Sequence, residues 1–130
     1  MKKIIVFLLL TLPQLLLASG GGLKLEHAPV DEHDMESLKR GADLFSAYCA
    51  GCHAMKYVRY ERVAKDLNLS LEYVKEHYMF NTEQVGSTML TAMPADLAEK
   101  WFGTTPPDLT LEANLRGADF LNLIIKINFR

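Results

Sequence analysis

Cysteine is scarce in this chain: there are two in 130 residues, Cys49 and Cys52. With no second cysteine pair, a four-ligand zinc site of the usual Cys-rich kind is incomplete. Positive charge is also short. The chain carries 14 Lys+Arg against 16 Asp+Glu, and both lysines of the first nineteen residues, Lys2 and Lys3, lie in a stretch without acids. The remainder is therefore acidic, which disfavours a nucleic-acid binder and suits either steering of a basic protein partner or an ordinary solvated surface. Long uninterrupted apolar runs are missing too. Ile4 to Leu17 is the nearest approach, and Thr11, Pro13 and Gln14 break it, leaving it short for a bilayer span. Internal repeats and low-complexity tracts are absent, and strand patterning is weak throughout.

What is present begins with about half the residues apolar, enough for one modest globular domain and too many for a disordered chain. Residues 1–19 read as a secretory signal: a Lys2-Lys3 head, the apolar run, then the small residues Ala18-Ser19-Gly20 suited to cleavage after Ala18. Residues 20–35 read as an extended acidic lead-in, and residues 36–130 as the folded domain.

Within that domain the periodicity is helical. Leu38, Ala42, Phe45 and Cys49 form one stripe of a helix from Glu36 to Cys49. Gly41 sits on its edge at a helix-propensity cost of about 1 kcal/mol, which close crossing by another helix would offset. A short helix is expected over Arg62–Leu67. Ser70 is an N-cap for a helix from Leu71 to about Phe80, with Leu71, Val74 and Tyr78 on its apolar face. Asn81 to Met93 lacks periodicity and reads as loop. Ala95 to Phe102 reads as a helix closed by Gly103. Thr104 to Asp108 is extended around Pro106-Pro107. Asp108 is placed to cap a short helix through Asn114, and Asp119 to Phe129 is helical. The fold class is all-α.

The residues with distinctive chemistry are Cys49-Ala50-Gly51-Cys52-His53. This is C-x-x-C-H, the attachment signature of a c-type haem. Two thiols three positions apart lie on one side of a turn, where each adds to one vinyl group of the same porphyrin. The adjacent His53 then gives an imidazole nitrogen to the iron. Small Ala50 and Gly51 let the backbone lie near the porphyrin edge. Three other readings compete. A thioredoxin-like dithiol wants a βαβ context, half a zinc site lacks its other ligands, and a disulfide leaves His53 without a role. Met55-Lys56-Tyr57-Val58-Arg59-Tyr60 follows, with tyrosines suited either to a haem edge or to ordinary surface.

Further blocks run in order along the chain: Gly20-Gly21-Gly22, His27-Ala28-Pro29-Val30-Asp31, Leu38-Lys39-Arg40-Gly41-Ala42, Lys56-Tyr57-Val58-Arg59-Tyr60, Ala92-Met93-Pro94, Lys100-Trp101-Phe102-Gly103, Pro106-Pro107-Asp108-Leu109 and Arg116-Gly117-Ala118-Asp119. With the haem motif among them, the sequence resembles the bacterial cytochrome c1 family, the haem subunit of the cytochrome bc1 complex, over essentially the whole chain.

The resemblance implies a cytochrome c-like haem domain with one covalent haem c on Cys49 and Cys52 and His53 as the proximal iron ligand. It implies that Pro107 lies in a segment offering a carbonyl to the second nitrogen of His53, and that Arg116 stands near a haem propionate. Gly41 and Phe45 match helix-crossing positions. The function implied is one-electron transfer within the ubiquinol–cytochrome c reductase complex, at the periplasmic face of the bacterial inner membrane. There the haem accepts from a Rieske iron–sulfur protein and donates to a c-type cytochrome, beside cytochrome b. Family members continue past the position of Arg130 with a sixth-ligand methionine, a crossing helix and a membrane anchor, so the chain reads as a first half. Met93, before Pro94, is either a loop methionine or a substitute sixth ligand. An open-site haem protein with peroxidase-like activity and a remnant without function are the alternatives.

Overall fold

The computed structural model describes residues 24–128, and the expected signal over residues 1–19 lies outside them. In chain order the elements are α1 (Met35–Tyr48), β1 (Met55–Arg59), α2 (Tyr60–Asp66), α3 (Leu71–Tyr78), β2 (Thr88–Met89), α4 (Ala95–Phe102), α5 (Glu112–Arg116) and α6 (Ala118–Asn128).

Local chemistry accounts for several of the boundaries. α1 starts where the Asp34 carboxylate accepts the Ser37 N–H, satisfying one of the donors that a helix start leaves open. Ser70 does the same for α3 through the Tyr73 N–H. α4 ends on Gly103, which takes φ 73° and returns its N–H to the Glu99 carbonyl, the left-handed stop glycine allows most cheaply. Asn68, at φ 51°, makes the corresponding bend after α2.

The core gathers α2, α3 and β2. Tyr60, Ala64, Val74, Tyr78, Met79 and Met89 are buried together, with Ala42 and Phe45 of α1 packed against them. α1 is tied to α3 by polar contacts as well. Asp43 accepts hydrogen bonds from the Tyr78 hydroxyl at 2.7 Å and the Tyr73 hydroxyl at 3.1 Å, and buried Ser46 donates to the His77 carbonyl at 2.8 Å. At the other end the lead-in docks on α6. The Ala28 N–H meets Asp119 Oδ1 at 2.8 Å, and Lys126 Nζ meets Glu26 Oε2 at 2.8 Å.

The helices fall where the periodicity puts them, within a few residues. Four details differ. β1 and β2 form an antiparallel ribbon with Met55 opposite Met89 and Arg59 opposite Thr88, inside stretches without strand patterning. Leu71, the first residue of its helix, is 42% exposed while Val74 and Tyr78 are buried. Beyond its own helix backbone and chain neighbours, no atom among the described residues lies within 4 Å of where a Gly41 Cβ would stand, so no described element makes a crossing there. The short helix expected from Asp108 instead starts at Glu112 behind Leu111, with no side-chain cap, because the Asp108 carboxylate is engaged elsewhere.

Candidate haem-attachment site

α1 delivers Cys49 directly. Its N–H and that of Ala50 both bond the Phe45 carbonyl at 2.9 Å, and the N–H groups of Cys52 and His53 then return to the Cys49 carbonyl at 3.0 and 2.8 Å. Both cysteines and the histidine are thus gathered on one turn at the end of a helix that the core anchors through Phe45.

The two cysteines are free thiols, each partly buried. Burial, and then the neighbouring Cys52, push the Cys49 thiol above its ordinary value. A reactive redox dithiol has the opposite tuning. The only sheet among the described residues is the antiparallel ribbon, so the βαβ setting of a thioredoxin-like pair is missing there. No group of three or more His, Cys, Asp or Glu among the described residues is arranged to hold a metal ion, which removes support for the zinc reading.

His53 is held from outside its own turn. Its Nδ1 lies 2.8 Å from the Pro107 carbonyl, 54 residues along the chain. A carbonyl only accepts, so Nδ1 carries the proton, and Nε2 is the nitrogen left to offer a lone pair to a metal. The structure thereby brings together His53 and Pro107.

Around that bond the two segments are laced in parallel. The Leu109 N–H reaches the Ala54 carbonyl at 2.9 Å. The Asp108 carboxylate accepts the Lys56 N–H at 2.8 Å on Oδ2 and the Thr110 N–H at 3.1 Å on Oδ1. The Thr110 hydroxyl faces the Tyr57 N–H at 3.4 Å. Burial pushes the Asp108 carboxyl up, but the bonds from Thr110 and Lys56, with the Lys56 charge, outweigh it and hold the group below its ordinary value. Asp108 and Thr110 were not singled out as site residues by the sequence; the Pro-Pro-Asp-Leu block was the available signal. A further tie comes from Thr91, whose hydroxyl donates to the Gly51 carbonyl at 2.8 Å and accepts the Met93 N–H at 3.1 Å. Met93 is therefore fastened beside the motif, half-buried.

Arg116 is not joined to this cluster. Its Nε bonds Glu112 Oε2 at 2.7 Å and its guanidinium lies 5.2 Å from the centre of the Phe120 ring. Half its side chain remains exposed.

A Cys-x-x-Cys-His turn with both thiols free and its histidine oriented by a distant carbonyl has the donor set of a c-type haem site. The comparisons specify the class further. The profile of the Cytochrome C1 family matches residues 25–125, and the chain belongs to that family. A curated relative named cytochrome c1, from Allochromatium vinosum, is 44% identical over 125 residues, covering 96% of this chain and 51% of the relative. A second, named ammonia monooxygenase gamma subunit, from Nitrosomonas europaea, is 38% identical over 121 residues, covering 93% and 51%. The chain spans about half the length of the curated relatives it matches.

Proposed function

We propose that this chain binds one haem c covalently through Cys49 and Cys52, with His53 Nε2 on the iron, and serves in one-electron transfer in a cytochrome bc1 complex. The observation that carries this reading is the His53 Nδ1 to Pro107 carbonyl contact at 2.8 Å. It holds one tautomer and one ring orientation in the position next to Cys52. When bound, the haem supplies a reversible one-electron couple. The chain's own contribution is to anchor the porphyrin by two thioethers, to aim the imidazole, and to set its basicity through the Pro107 carbonyl.

The proposal extends to partners and place. The donor is a Rieske iron–sulfur protein, the acceptor a c-type cytochrome, and cytochrome b the membrane companion. The protein is exported by the signal over residues 1–19 to the periplasmic face of the inner membrane. Among the described residues no helix is long and apolar enough to cross a membrane; the complex itself supplies one route of membrane association. Arg116 is proposed to meet a propionate. Swinging it there exchanges a half-exposed pair with Glu112, worth under about 1 kcal/mol, for a bidentate carboxylate contact.

The test is a haem-stained denaturing gel of separated membrane and periplasmic fractions, run beside the double variant Cys49→Ala/Cys52→Ala. Covalent haem survives detergent, so a stained band that the double variant lacks supports attachment. Co-purification with a cytochrome b and a Rieske protein supports the complex. An unstained wild-type band would overturn the haem reading. A stained chain that co-purifies instead with the subunits of a monooxygenase would place it, like the Nitrosomonas relative's name, in another assembly.

A further inference from the structure

We infer that Asp108, seconded by Thr110, is a positioning residue for the iron-ligating face of His53, acting through the Pro107 carbonyl. The inference rests on the haem reading above and deepens it.

The geometry is a four-point splice. His53, Ala54, Lys56 and Tyr57 each meet a partner in Pro107–Thr110: the Pro107 carbonyl, the Leu109 N–H, the Asp108 carboxylate and the Thr110 hydroxyl respectively. Only the first contact touches the imidazole. Its direction is set by the rotation of the Pro107–Asp108 peptide, because the acceptor oxygen belongs to that unit. The Pro107 ring fixes its own φ, which leaves ψ of Pro107 and φ of Asp108 as the rotations that turn this peptide. On the Asp108 side, both carboxylate oxygens are committed, Oδ2 to the Lys56 N–H at 2.8 Å and Oδ1 to the Thr110 N–H at 3.1 Å. A carboxylate bridging two backbone donors on different segments sets the distance between those segments as well as the peptide's orientation. Remove it and the Lys56 and Thr110 N–H groups lose their acceptor, the peptide gains a rotation, and the bond to Nδ1 lengthens or bends.

The consequence lies in the electronics of the ligand. A firm acceptor on Nδ1–H makes the imidazole a stronger donor and favours the higher charge on the metal it binds. A loosened acceptor shifts the balance toward the reduced form. Loss of an outer partner of this kind typically changes metal affinity or activity by about 10–100-fold, and the lower end of that range sets the scale here. For Asp108→Ala we expect about a tenfold shift of the oxidised-to-reduced ratio at fixed potential, an upward move of ~59 mV for one electron. Asp108→Asn keeps one acceptor oxygen and turns an N–H₂ toward the other donor, so its midpoint falls between wild type and alanine.

The experiment is a redox titration of the full haem-loaded chain in wild type, Asp108→Ala, Asp108→Asn and Thr110→Val, with Ser70→Ala as a control that loses a comparable capping bond on α3. Haem staining is run on each sample first. Midpoints rising in the order wild type, Asn, Ala, with Thr110→Val displaced upward by less and Ser70→Ala unmoved, support the inference. Stained variants titrating at the wild-type midpoint overturn it while leaving the haem reading intact. So does Ser70→Ala shifting as far as Asp108→Ala, since a general loosening would then explain both. If Asp108→Ala does not accumulate, the Asn and Thr110→Val variants carry the decision. An unstained wild type overturns the haem reading itself, and this inference with it.

Discussion

His53 has two ring nitrogens, and the fold commits one of them. With Nδ1 donating to Pro107, the chemistry of the site is decided by one proton's location, and Asp108 stands behind that location. Its carboxyl is held below its ordinary value, so its contribution to stability is present above the unfolded aspartate pKa of about 3.9 and is lost as pH falls through the lower folded value. Urea melts of wild type and Asp108→Ala should therefore differ at pH 6, with the difference shrinking progressively as pH is lowered below about 3.9. An unchanged difference at pH 3 would mean that the carboxylate form contributes nothing. At the same scale, Val74 has no exposed surface and is the largest fully buried side chain among the described residues. Val74→Ala should cost about 2 kcal/mol, from lost transfer energy and the cavity left behind, read as a lower midpoint in the same melts.

At the scale of elements, caps and turns were the legible part. Ser70 and Gly103 act where the sequence places them, because capping is a local bargain between a side chain or a φ angle and the nearest backbone groups. Gly103→Ala should lower stability by about 1 kcal/mol. Nothing lies within 4 Å of the added Cβ, so the cost is conformational and no repacking should accompany it. The α1–α3 latch makes a prediction with the opposite pH sense. Burial, then the hydrogen bond to Asp43, raises Tyr78 above its ordinary value. Its contribution to stability is full below the unfolded tyrosine pKa of about 10 and fades as pH climbs toward the raised folded value. Stability should fall with pH above 10, and Tyr78→Phe should flatten that fall. It should not abolish it, since burial raises Tyr60 and the bond to Asp43 raises Tyr73.

What stayed illegible were pairings across distance. β2 is two residues long and its partner lies some thirty residues back, so neither segment shows alternation of its own. Asp108 sits just before a helical pattern, which made capping the nearest local explanation. Its actual partner Lys56 is 52 residues away. The haem motif needed no such knowledge, because Cys49, Cys52 and His53 are neighbours in sequence. Pro107 entered only through family resemblance, and Arg116 shows no contact with the cluster.

Taken whole, the described chain is thinly buried for its size. Its buried apolar set is eight residues, three of them alanines, while Tyr48, Tyr57, Phe80, Trp101, Phe102 and Leu115 are well exposed. A cleft of about 360 Å³ opens on the core between α1, β1 and α2, lined by Leu38, Phe45, Val58, Val63 and Leu67 among others. A core this small among the described residues gains from additional constraints, and the proposed thioethers are one. A porphyrin fastened at Cys49 and Cys52 and covering about 200 Å² of apolar chain surface would contribute on the order of 5 kcal/mol. For a domain near 100 residues each kcal/mol moves the melting midpoint by about 4–8 °C. The double variant Cys49→Ala/Cys52→Ala, which cannot form either bond, should therefore melt at least about 20 °C below the haem-loaded chain, with a broader transition, in a far-ultraviolet circular dichroism scan. Equal midpoints would mean that the fold stands on its own core and that the haem is a passenger, whereas a large gap would make attachment a folding step for this chain as well as a functional one.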